Sequence, residues 1–518
     1  MANMDQDFQT YGALDAACTL EIKNGFFHEL GQFKTAYDMT LNIFPVLMFM
    51  QTRGVKVNKK NLDQTKIEIM ADKKAKQQEL DEMCGAPLNV DSPKQCQKYF
   101  YETLGIKPYL NKQGKPTVDD LALQRLVRGV AGRPGLRQAK LVQEIRGLGK
   151  LYGTYLDMEF DADGRMRGSY NPRGTKFGRL SSSKTIFGTG MNFQNLPDEF
   201  KKFLVADDGY CFLEVDKRQA EWVAVAYLSG DAAMIAAVES GLDVHTATAM
   251  EMYKVEASVV KIDHKLCAHV TNADEILRLR REDPVLSGLV NSTWPRTMSL
   301  RQSGKKSNHG LNYDEGPNGF AMINEIEIAE AKVIVAMYHR IYPGIRIWYE
   351  SIKNELKKNN RVLTNCFGRS VRFMGAWGDD LWKSAYSCLP QATVVDSLNQ
   401  GMERIYEDKQ LCGTEGFNGD VLAQVHDSVL MQFPIAVLEV EDNFNFIRDT
   451  ITDFTSPMMS YNGRDFKIAS DYKFGLNWGG HNKDRNPLGM QEFDTFDAFT
   501  KALAEWREHG AGTQRVAG

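Results

Sequence analysis

The first chemically informative position is an acidic residue that closes a buried strand. Residues 211–216 read CFLEVD, a run of apolar and β-branched residues that predicts a strand ending at Asp216. A carboxylate at the end of a buried strand is costly unless another group compensates it. Residues 219–228 have a helical pattern, so a role for Asp216 as a helix N-cap stays open as the alternative.

A second acidic residue lies in a segment of complementary character. Residues 421–433 read VLAQVHDSVLMQF, which predicts a hairpin with His426, Asp427 and Ser428 at its turn. Asp427 alone could simply favour the turn. If both strands share one sheet, Asp216 and Asp427 could hold two Mg²⁺ ions, because hard cations prefer carboxylate oxygens. Two such ions activate an attacking hydroxyl and stabilise a leaving pyrophosphate.

A basic stripe lies between the two acidic segments. Arg301, Lys305, His309 and Tyr313 recur every four residues within residues 300–316, so a helix would place them along one face. Two cations followed by two flat rings suit a nucleotide, with the charges on the triphosphate and the rings near sugar and base. The alternative is a basic surface helix whose tyrosine packs against a neighbour.

The elements that must position these residues include a strongly basic helical segment. Residues 53–150 contain 20 Lys or Arg and 11 Asp or Glu, a local charge of +9 within a chain whose net charge is −4. Long helices are predicted over residues 62–83 and 121–148. Such a segment is either a solvated helical face or a lobe that binds a phosphate backbone through counterion release.

Composition excludes several classes of protein. The 518 residues are 43% hydrophobic and 25% charged, which is typical of a folded chain with three or four domains. The most apolar stretch, residues 41–50, is about half the length of a membrane span. The first ten residues do not resemble a signal peptide, and the eight cysteines form no CxxC pair, so we expect an intracellular, cytoplasmic protein.

Taken together, these residues resemble the polymerase portion of family A DNA polymerases, the DNA polymerase I family, over about residues 9–481. Residues 216–221 (DKRQAE) look like motif A, usually DYSQIE, and residues 425–427 match motif C, usually VHDE. Motif B, Rx3Kx2NFGx2Y, is matched by Arg301, Lys305, Asn308, Gly310 and Tyr313. Three further elements are similar and follow in the family's order: GRLSS at 178–182, NFQNLP at 192–197 and DVHTATA at 243–249.

The resemblance implies an α+β fold of the right-hand polymerase type, with an antiparallel palm sheet and largely helical thumb and fingers. The implied divisions are an exonuclease remnant helix at 1–36, a palm-associated segment at 37–52, the thumb at 53–155, the palm at 156–242 and 362–484, the fingers at 243–361 with an insertion at about 256–298, and a C-terminal tail helix at 485–518.

The resemblance also implies site roles. Asp216 and Asp427 would be catalytic and would hold two Mg²⁺ ions together with the backbone carbonyl of Lys217. The incoming nucleotide would be bound by His245, Arg301, Lys305, His309, Tyr313, Gln219 and Glu221, with Glu221 filling the space that a ribose 2′-OH needs. Primer-template DNA would contact Arg179, Gln391, His426 and Asn195.

Two positions depart from the family pattern. His309 stands where the family usually has Phe or Tyr, which puts sugar discrimination in question. Ser428 replaces the Glu that usually follows the motif C aspartate, so a third carboxylate is missing. The two aspartates remain, and we still expect catalysis.

The N-terminal segment carries a further family signature. Tyr11 and Asp15 fit the Yx3D motif of the family's 3′–5′ exonuclease, but no DxE precedes them. We therefore expect no intrinsic proofreading. We also expect that a separate exonuclease subunit could dock on a stripe that includes Leu14, Cys18 and Ile22.

These observations predict a template-directed DNA polymerase that binds primer-template DNA and dNTPs and acts in DNA replication, in the bacterial cytoplasm if a phage or other mobile element encodes it. A single-subunit RNA polymerase is a second hypothesis. Glu221 argues against it, because this residue would fill the space that a ribose 2′-OH needs. The remaining alternative is a catalytically impaired DNA-binding subunit of a replication complex, for which Ser428 and His309 give slight support.

Overall fold

The computed structural model of the chain describes residues 2–111, 113–129, 135–270, 272–324, 326–493 and 495–515. Its main sheet has five strands, in spatial order β14 (Gln491–Glu492), β13 (Ser470–Gly475), β6 (Tyr210–Lys217), β10 (Ser428–Pro434) and β9 (Asp420–Val425). All neighbouring pairs are antiparallel. Helices surround this sheet, which confirms the predicted α+β class.

Shorter strands form small antiparallel ladders at the margins. They are β1 (Val55–Val57) with β2 (Arg165–Met166) and β5 (Leu204–Val205), β3 (Ser169–Asn171) with β4 (Ser181–Ser183), β7 (Val362–Thr364) with β8 (Ser370–Arg372), and β11 (Met459–Tyr461) with β12 (Arg464–Phe466).

The helices fall into three groups along the chain. Before β6 lie α1 (Ala2–Phe26), α2 (Lys34–Asn42), α3 (Phe44–Arg53), α4 (Lys59–Cys84), α5 (Pro93–Gln97), α6 (Asp120–Arg128), α7 (Arg137–Lys150) and α8 (Asp198–Lys201). Between β6 and β9 lie α9 (Ala220–Ser229), α10 (Ala232–Glu239), α11 (Val244–Tyr253), α12 (Ala257–Cys267), α13 (Ala273–Glu282), α14 (Leu300–Leu311), α15 (Pro317–Asn324), α16 (Ile328–Ile341), α17 (Pro343–Lys358), α18 (Asp379–Glu407) and α19 (Lys409–Cys412). After β10 lie α20 (Ile435–Leu438), α21 (Glu441–Thr455) and α22 (Phe496–Arg515).

The predicted hairpin is confirmed. β9 and β10 pair around a turn at His426 and Asp427, and β10 pairs on its other side with β6. Both strands of the hairpin are buried along almost their whole length. β10 lies inside the sheet, whereas β9 is an edge strand against which α3 and α18 pack. The sheet thus brings the end of β6 beside the hairpin turn.

Helix α18 joins two large hydrophobic cores. The sheet core contains β6, β9 and β10 and the helices that cover them, among them α3, α21 and the second half of α18. The helical core is built from α9, α11, α14, α16, α17 and the first half of α18. The 29-residue helix α18 belongs to both and therefore joins them.

The basic helical region, residues 53–150, has a third core of its own. Leu80 of α4, Leu123 of α6 and Leu141 of α7 are fully buried in it. The predicted helix over residues 121–148 is interrupted, because α6 ends before Gly129, whose φ of +75° favours glycine. The side chain of Asn272 donates to the carbonyl of Arg128 at 3.1 Å and links this region to α13.

The two ends of the chain differ in packing. α22 inserts Phe499, Leu503 and Trp506 into the sheet core. In α1, by contrast, Leu14 and Ile22 are 59% and 61% exposed. Among the residues that the structure describes, none of the helices combines the length and apolarity needed to cross a bilayer.

Candidate active site

A cavity of about 310 Å³ opens where the end of β6 and the β9–β10 turn face α11 and α14. Its lining contains many of the predicted site residues and consists of Asp216, Lys217, Gln219, Ala220, Glu221, Trp222, His245, Asn308, His309, Asn312, Tyr313 and Asp427. The sequence separations within this set exceed 200 residues, so the fold assembles the site.

Asp216 and Asp427 are held side by side by the pairing of β6 with β10. Asp216 lies opposite Ser428 in the register, and the N–H of Lys217 donates to the carbonyl of Asp427 at 3.1 Å. Burial, followed by the negative charges of Glu214 and Asp427, raises the pKa of Asp216 to about 6. Burial also raises the pKa of Asp427. A positive charge nearby would therefore stabilise the doubly ionised pair.

The carboxylates fit a divalent cation. Asp427 Oδ1 is buried and has no hydrogen-bond donor among the described residues, and a bound cation would satisfy it. Within those residues, no three His, Cys, Asp or Glu side chains are grouped as a metal site. Protein ligation would thus come from two carboxylates and the carbonyl of Lys217, which suits Mg²⁺ because that ion usually keeps waters and substrate phosphates as further ligands.

Ser428, the departure from motif C, lies beside another carboxylate. Its hydroxyl is 3.0 Å from the carbonyl of Val425 and 3.4 Å from Oε1 of Glu214, an atom that also accepts from the indole of Trp478. Glu214 is on the same strand as Asp216, two residues earlier. Negative charge at this end of the sheet therefore has a source outside the hairpin.

The side chain of Lys217 points away from the carboxylates. Its ammonium donates to the carbonyl of Thr455 and lies 3.4 Å from the hydroxyl of Ser456. Burial lowers the pKa of Lys217 to about 7, although the charge of Asp427 acts in the opposite direction. The predicted role of this residue concerns its backbone carbonyl, which the buried side chain keeps at the end of β6.

The hairpin turn is held by two glutamines that the motif analysis did not include. His426 has a φ of +51°, and its N–H donates to Oε1 of Gln194 at 2.7 Å. The amide of Gln194 donates in turn to Gln424 Oε1 at 2.9 Å, and the amide of Gln424 donates to the carbonyl of His426. Gln194 lies within the NFQNLP element, whose resemblance to the family could have marked it.

The basic helix is predicted correctly over most of its length. α14 begins with a capping box between Ser299 and Gln302. Arg301 forms two hydrogen bonds to Asp243, at 2.9 and 2.8 Å, and Lys305 is exposed one turn later. Although burial acts to raise it, the pKa of Asp243 is held below its ordinary value by donors from Arg301 and Thr246. Arg301 and Lys305 lie outside the cavity lining, on the same helix.

Asp243 joins two predicted site residues. Besides Arg301, it accepts from the amide of Gln219 at 2.9 Å. Gln219 has a φ of +51° at the break between β6 and α9, and its side-chain oxygen Oε1 accepts from the N–H of Val244. The Asp-x-x-Thr spacing of an N-cap could have identified Asp243 as a cap but not as the partner of Arg301.

His245 faces the cavity as a neutral ring. Asn308 holds it, because the amide nitrogen of Asn308 lies 3.1 Å from Nδ1 of His245 and can only donate. The ring proton is therefore on Nε2. Burial lowers the pKa of His245 to about 4. The ring of His309 lies 5.7 Å away, and burial followed by the charge of Lys305 lowers its pKa as well.

Glu221 is fixed by two of the predicted residues. Arg179 donates to its Oε1, and the hydroxyl of Tyr313 donates to its Oε2 at 2.8 Å. Tyr313 differs from the prediction because α14 ends at Leu311, so the tyrosine follows the helix instead of extending its stripe. The turn places it in the cavity lining nonetheless, since its N–H returns to the carbonyl of Gly310.

All four residues predicted to contact DNA lie outside the cavity lining, and one of them, Arg179, bonds Glu221. His426 is at the exposed hairpin turn, and Asn195 is exposed at the end of a short 3₁₀ segment, next to Gln194. Gln391 is half-buried on α18. Their roles stay predictions.

The family model for "DNA polymerase family A" matches residues 59–272 and 290–480. The chain is 25% identical over 491 residues to DNA polymerase I of Pseudomonas aeruginosa, covering 90% of this chain and 47% of that protein. It is 27% identical over 432 residues to DNA polymerase I of Streptococcus pneumoniae, covering 78% and 42%. The chain thus spans less than half the length of these curated relatives.

A solved structure has the same fold. The POL domain of Pol1 from M. smegmatis, in complex with DNA primer-template and dNTP, aligns with a TM-score of 0.69 over 89% of this chain and 74% of that one. Sequence identity in this comparison is 21%, so the likeness concerns the fold.

Divalent-cation binding at the carboxylates should depend on pH. A protonated carboxyl is a poor ligand, so cation affinity should rise as pH increases through about 6, the pKa of Asp216 in the cation-free protein. One pH unit below that value, proton competition at a single carboxyl should weaken binding about tenfold. Mn²⁺ titration followed by electron paramagnetic resonance at pH 5 and pH 7.5 measures this.

The matched comparison for this titration uses two single variants. Asp427→Asn should weaken Mn²⁺ binding at pH 7.5. Asp208→Asn should leave it unchanged, because Asp208 is largely exposed and precedes the start of β6. Equal affinity at both pH values in the wild type would contradict the assignment.

Proposed function

Because the chain belongs to DNA polymerase family A, we propose that it is a template-directed DNA polymerase that adds deoxynucleotides to a primer 3′-OH. The observation that carries the proposal is the pair of carboxylates at the end of β6 and the β9–β10 turn, across one cavity from the neutral His245 and from α14. This arrangement combines anionic ligands with donors for a triphosphate in a site of nucleotide dimensions.

We assign the regions of the structure accordingly. The basic helical region, residues 53–150, corresponds to a thumb that grips duplex phosphates. The main sheet is the palm, and the helical core around α11 to α17 is the fingers. The three separate hydrophobic cores support this division, since each region can keep its own packing when its neighbours shift.

In this function the chain's own residues do mainly binding and positioning. When bound, two Mg²⁺ ions would supply activation of the primer hydroxyl and stabilisation of the leaving pyrophosphate. Asp216, Asp427 and the carbonyl of Lys217 would hold them. His245 would donate its Nε2 proton to a phosphate oxygen, and Arg301 and Lys305 would hold the triphosphate, as cations do at phosphates.

Glu221 occupies a restrained position beside the cavity. Its two oxygens accept from Arg179 and Tyr313, so its side chain has little freedom to move aside. A ribose 2′-OH near this carboxylate would meet fixed bulk. We propose that Glu221 selects against ribonucleotides and that His309 contacts the sugar from the opposite wall.

Replacing either site aspartate should separate chemistry from binding. Asp216→Asn and Asp427→Asn should reduce single-nucleotide addition by at least about a thousandfold, because charge stabilisation in a preorganised site is the largest contribution to such reactions. Primer-template affinity should stay within about threefold, since phosphate contacts dominate it. Rapid-quench primer extension with Mg²⁺ and filter binding measure the two quantities.

The outcome also tests the alternative of an impaired DNA-binding subunit. A wild-type chain that binds primer-template but adds no nucleotide would favour that alternative. Asp208→Asn serves as a control because Asp208 is largely exposed and precedes the start of β6, whereas Asp216 lies near the end of that strand. Its extension rate should remain close to wild type.

Sugar selection should depend on Glu221. Glu221→Ala should increase the ratio of ribonucleotide to deoxyribonucleotide incorporation by at least about tenfold, because loss of bulk and of one fixed carboxylate removes a barrier of about 1.4 kcal/mol or more. Competition assays with paired rNTP and dNTP substrates give this ratio. An exposed acidic residue on α13, changed as Glu282→Ala, is the control, and an unchanged ratio in Glu221→Ala would refute the gate.

The N-terminal helix suggests a partner for the polymerase. Phe8, Tyr11, Leu14 and Ile22 of α1 are exposed, and a helix with so little packing gains little from the rest of the chain. The Yx3D pattern in the same helix is typical of a 3′–5′ exonuclease. We propose that an exonuclease body docks on the face that includes Leu14, Cys18 and Ile22.

This docking can be tested with a 3′–5′ exonuclease protein from the same source. Leu14→Glu with Ile22→Glu should weaken its binding to the chain by at least about tenfold, because two buried charges would replace apolar contacts. Ala16→Glu with Asn24→Glu adds the same charge on the opposite face and should have little effect. Calorimetry of each pair measures affinity, and equal loss with both double variants would contradict the proposed face.

A further inference from the structure

The family match leaves out one internal segment. Residues 273–289 lie between the two matched stretches and contain α13. This helix is polar on most of its surface, as expected for an exposed insertion. One of its basic residues, Arg280, is nevertheless buried, with 2% of its surface exposed.

Arg280 is completely engaged inside the helical core. Its Nε donates to Oδ1 of Asp263 at 2.7 Å, its Nη1 to the carbonyl of Pro295 at 2.6 Å, and its Nη2 to the carbonyl of Met298 at 3.0 Å. The guanidinium also lies over the ring of Trp294. Because a buried charge needs this many partners, its position is closely specified.

Asp263 links Arg280 to the start of α14. The carboxylate is fully buried, and its second oxygen, Oδ2, accepts from the N–H of Leu300 at 2.6 Å. Leu300 is the first residue of α14, where backbone N–H groups have no partner within the helix. The insertion helix thus reaches the start of α14 through a single carboxylate.

Neighbouring contacts hold the same turn. Nδ1 of His264 lies 2.9 Å from the hydroxyl of Ser299, the N-cap of α14, and the amide of Gln302 donates to the carbonyl of Ala268 at 2.7 Å. Both partners belong to the α12 segment. The first turn of α14 is therefore fastened to α12 at three points, and α13 fastens α12 at Asp263.

The residues that follow on α14 are those assigned to the nucleotide. Arg301 is adjacent to Leu300, and Lys305 and His309 follow one and two turns later. A small rotation at the helix start would move Arg301 away from Asp243 and shift the later side chains with it, since an α-helix behaves as one rigid element over this length.

We propose that Arg280 is a positioning residue for nucleotide binding: through Asp263 it sets the first turn of α14 and hence the affinity of the site for the incoming dNTP. This inference rests on the proposed polymerase function for its kinetic consequence, whereas its structural part stands on the contacts alone. Arg280 bonds Asp263, Pro295 and Met298 and neither Asp216 nor Asp427, so we assign it an indirect role.

The same helix offers a matched control. Arg278 is an exposed arginine two residues earlier, which pairs with Glu275 and Glu282 on the surface of α13. Both arginines carry the same guanidinium group and lie on the same helix. Among the described residues, however, Arg278 makes no hydrogen bond or ion pair with α12 or α14. A general effect of the substitution on α13 would appear in both variants.

The experiment compares Arg280→Lys, Arg280→Gln and Arg278→Gln in the full chain. Single-nucleotide primer extension should show a dNTP KM raised at least about fivefold in Arg280→Lys and more in Arg280→Gln, with kcat within about threefold. Lysine keeps the charge but cannot make three fixed bonds. Primer-template affinity should be unchanged, and Arg278→Gln should match wild type in every quantity.

Hydrogen exchange supplies a readout that does not need catalysis. Amides of residues 299–305 should exchange faster in the Arg280 variants than in wild type or Arg278→Gln, while those of β6 and β10 stay protected. If the wild type extends no primer, the proposed function fails, yet this measurement still decides the positioning role. If Arg280→Gln does not fold, the same measurements are made on Arg280→Lys and on Ser299→Ala, which loosens the same turn.

Two results would overturn the inference. Unchanged dNTP KM together with unchanged exchange at residues 299–305 in both Arg280 variants would show that Arg280 does not position α14. Equal changes in KM and kcat in the Arg280 and Arg278 variants, accompanied by equal losses of melting temperature, would show a merely structural role for α13.

Discussion

The concentration of negative charge at the end of the β6–β10 pair is the constraint on which the rest of the site depends. Two carboxylates whose pKa values are raised by burial cannot both ionise cheaply without positive charge nearby. The two carboxylates nevertheless stay close together, because the backbone hydrogen bond from Lys217 to Asp427 holds their strands side by side. Arg179, His426 and Lys217 offset part of the charge at Asp427, but the shift remains upward. Such an unsatisfied site has a strong electrostatic preference for a cation.

On the opposite side of the cavity, lining residues and their neighbours hold one another in place. Asp243 fixes Arg301 and Gln219, Asn308 fixes His245, and Glu221 fixes Arg179 and Tyr313. Each of these pairs joins two different elements, so the paired side chains are already ordered before a ligand arrives. This preorganisation is what an electrostatic site requires, because donors already aimed at the ligand pay no reorganisation at the moment of reaction.

Local sequence patterns predicted the elements of this site well and its internal partners poorly. The strand ending at Asp216, the hairpin around Asp427 and the basic helix could all be recognised, because apolar alternation and helical spacing are properties of a few adjacent residues. The spacing of Tyr313 continues the stripe and therefore predicts a helical position, whereas in the structure the helix ends at Leu311. The bonds of Gln194 with Gln424 and of Asp243 with Arg301 join residues that are 230 and 58 positions apart, and no local pattern records such pairings. The burial of Arg280 is likewise not evident from the sequence, since a charge-rich segment does not reveal which of its charges turns inward.

Helix α13 connects the basic helical region with the first turn of α14. At its N-terminal end, Asn272 caps α13 through its carbonyl oxygen, which accepts from Glu275, and its amide binds the carbonyl of Arg128 in the basic helical region. At its C-terminal end, Arg280 anchors Asp263 and thereby the first turn of α14. A helix of ten residues is about 15 Å long and rigid over that distance. The region assigned to duplex phosphates and the helix assigned to the nucleotide are therefore both bonded to one rigid helix, α13, which lies between the two stretches that the family model matches.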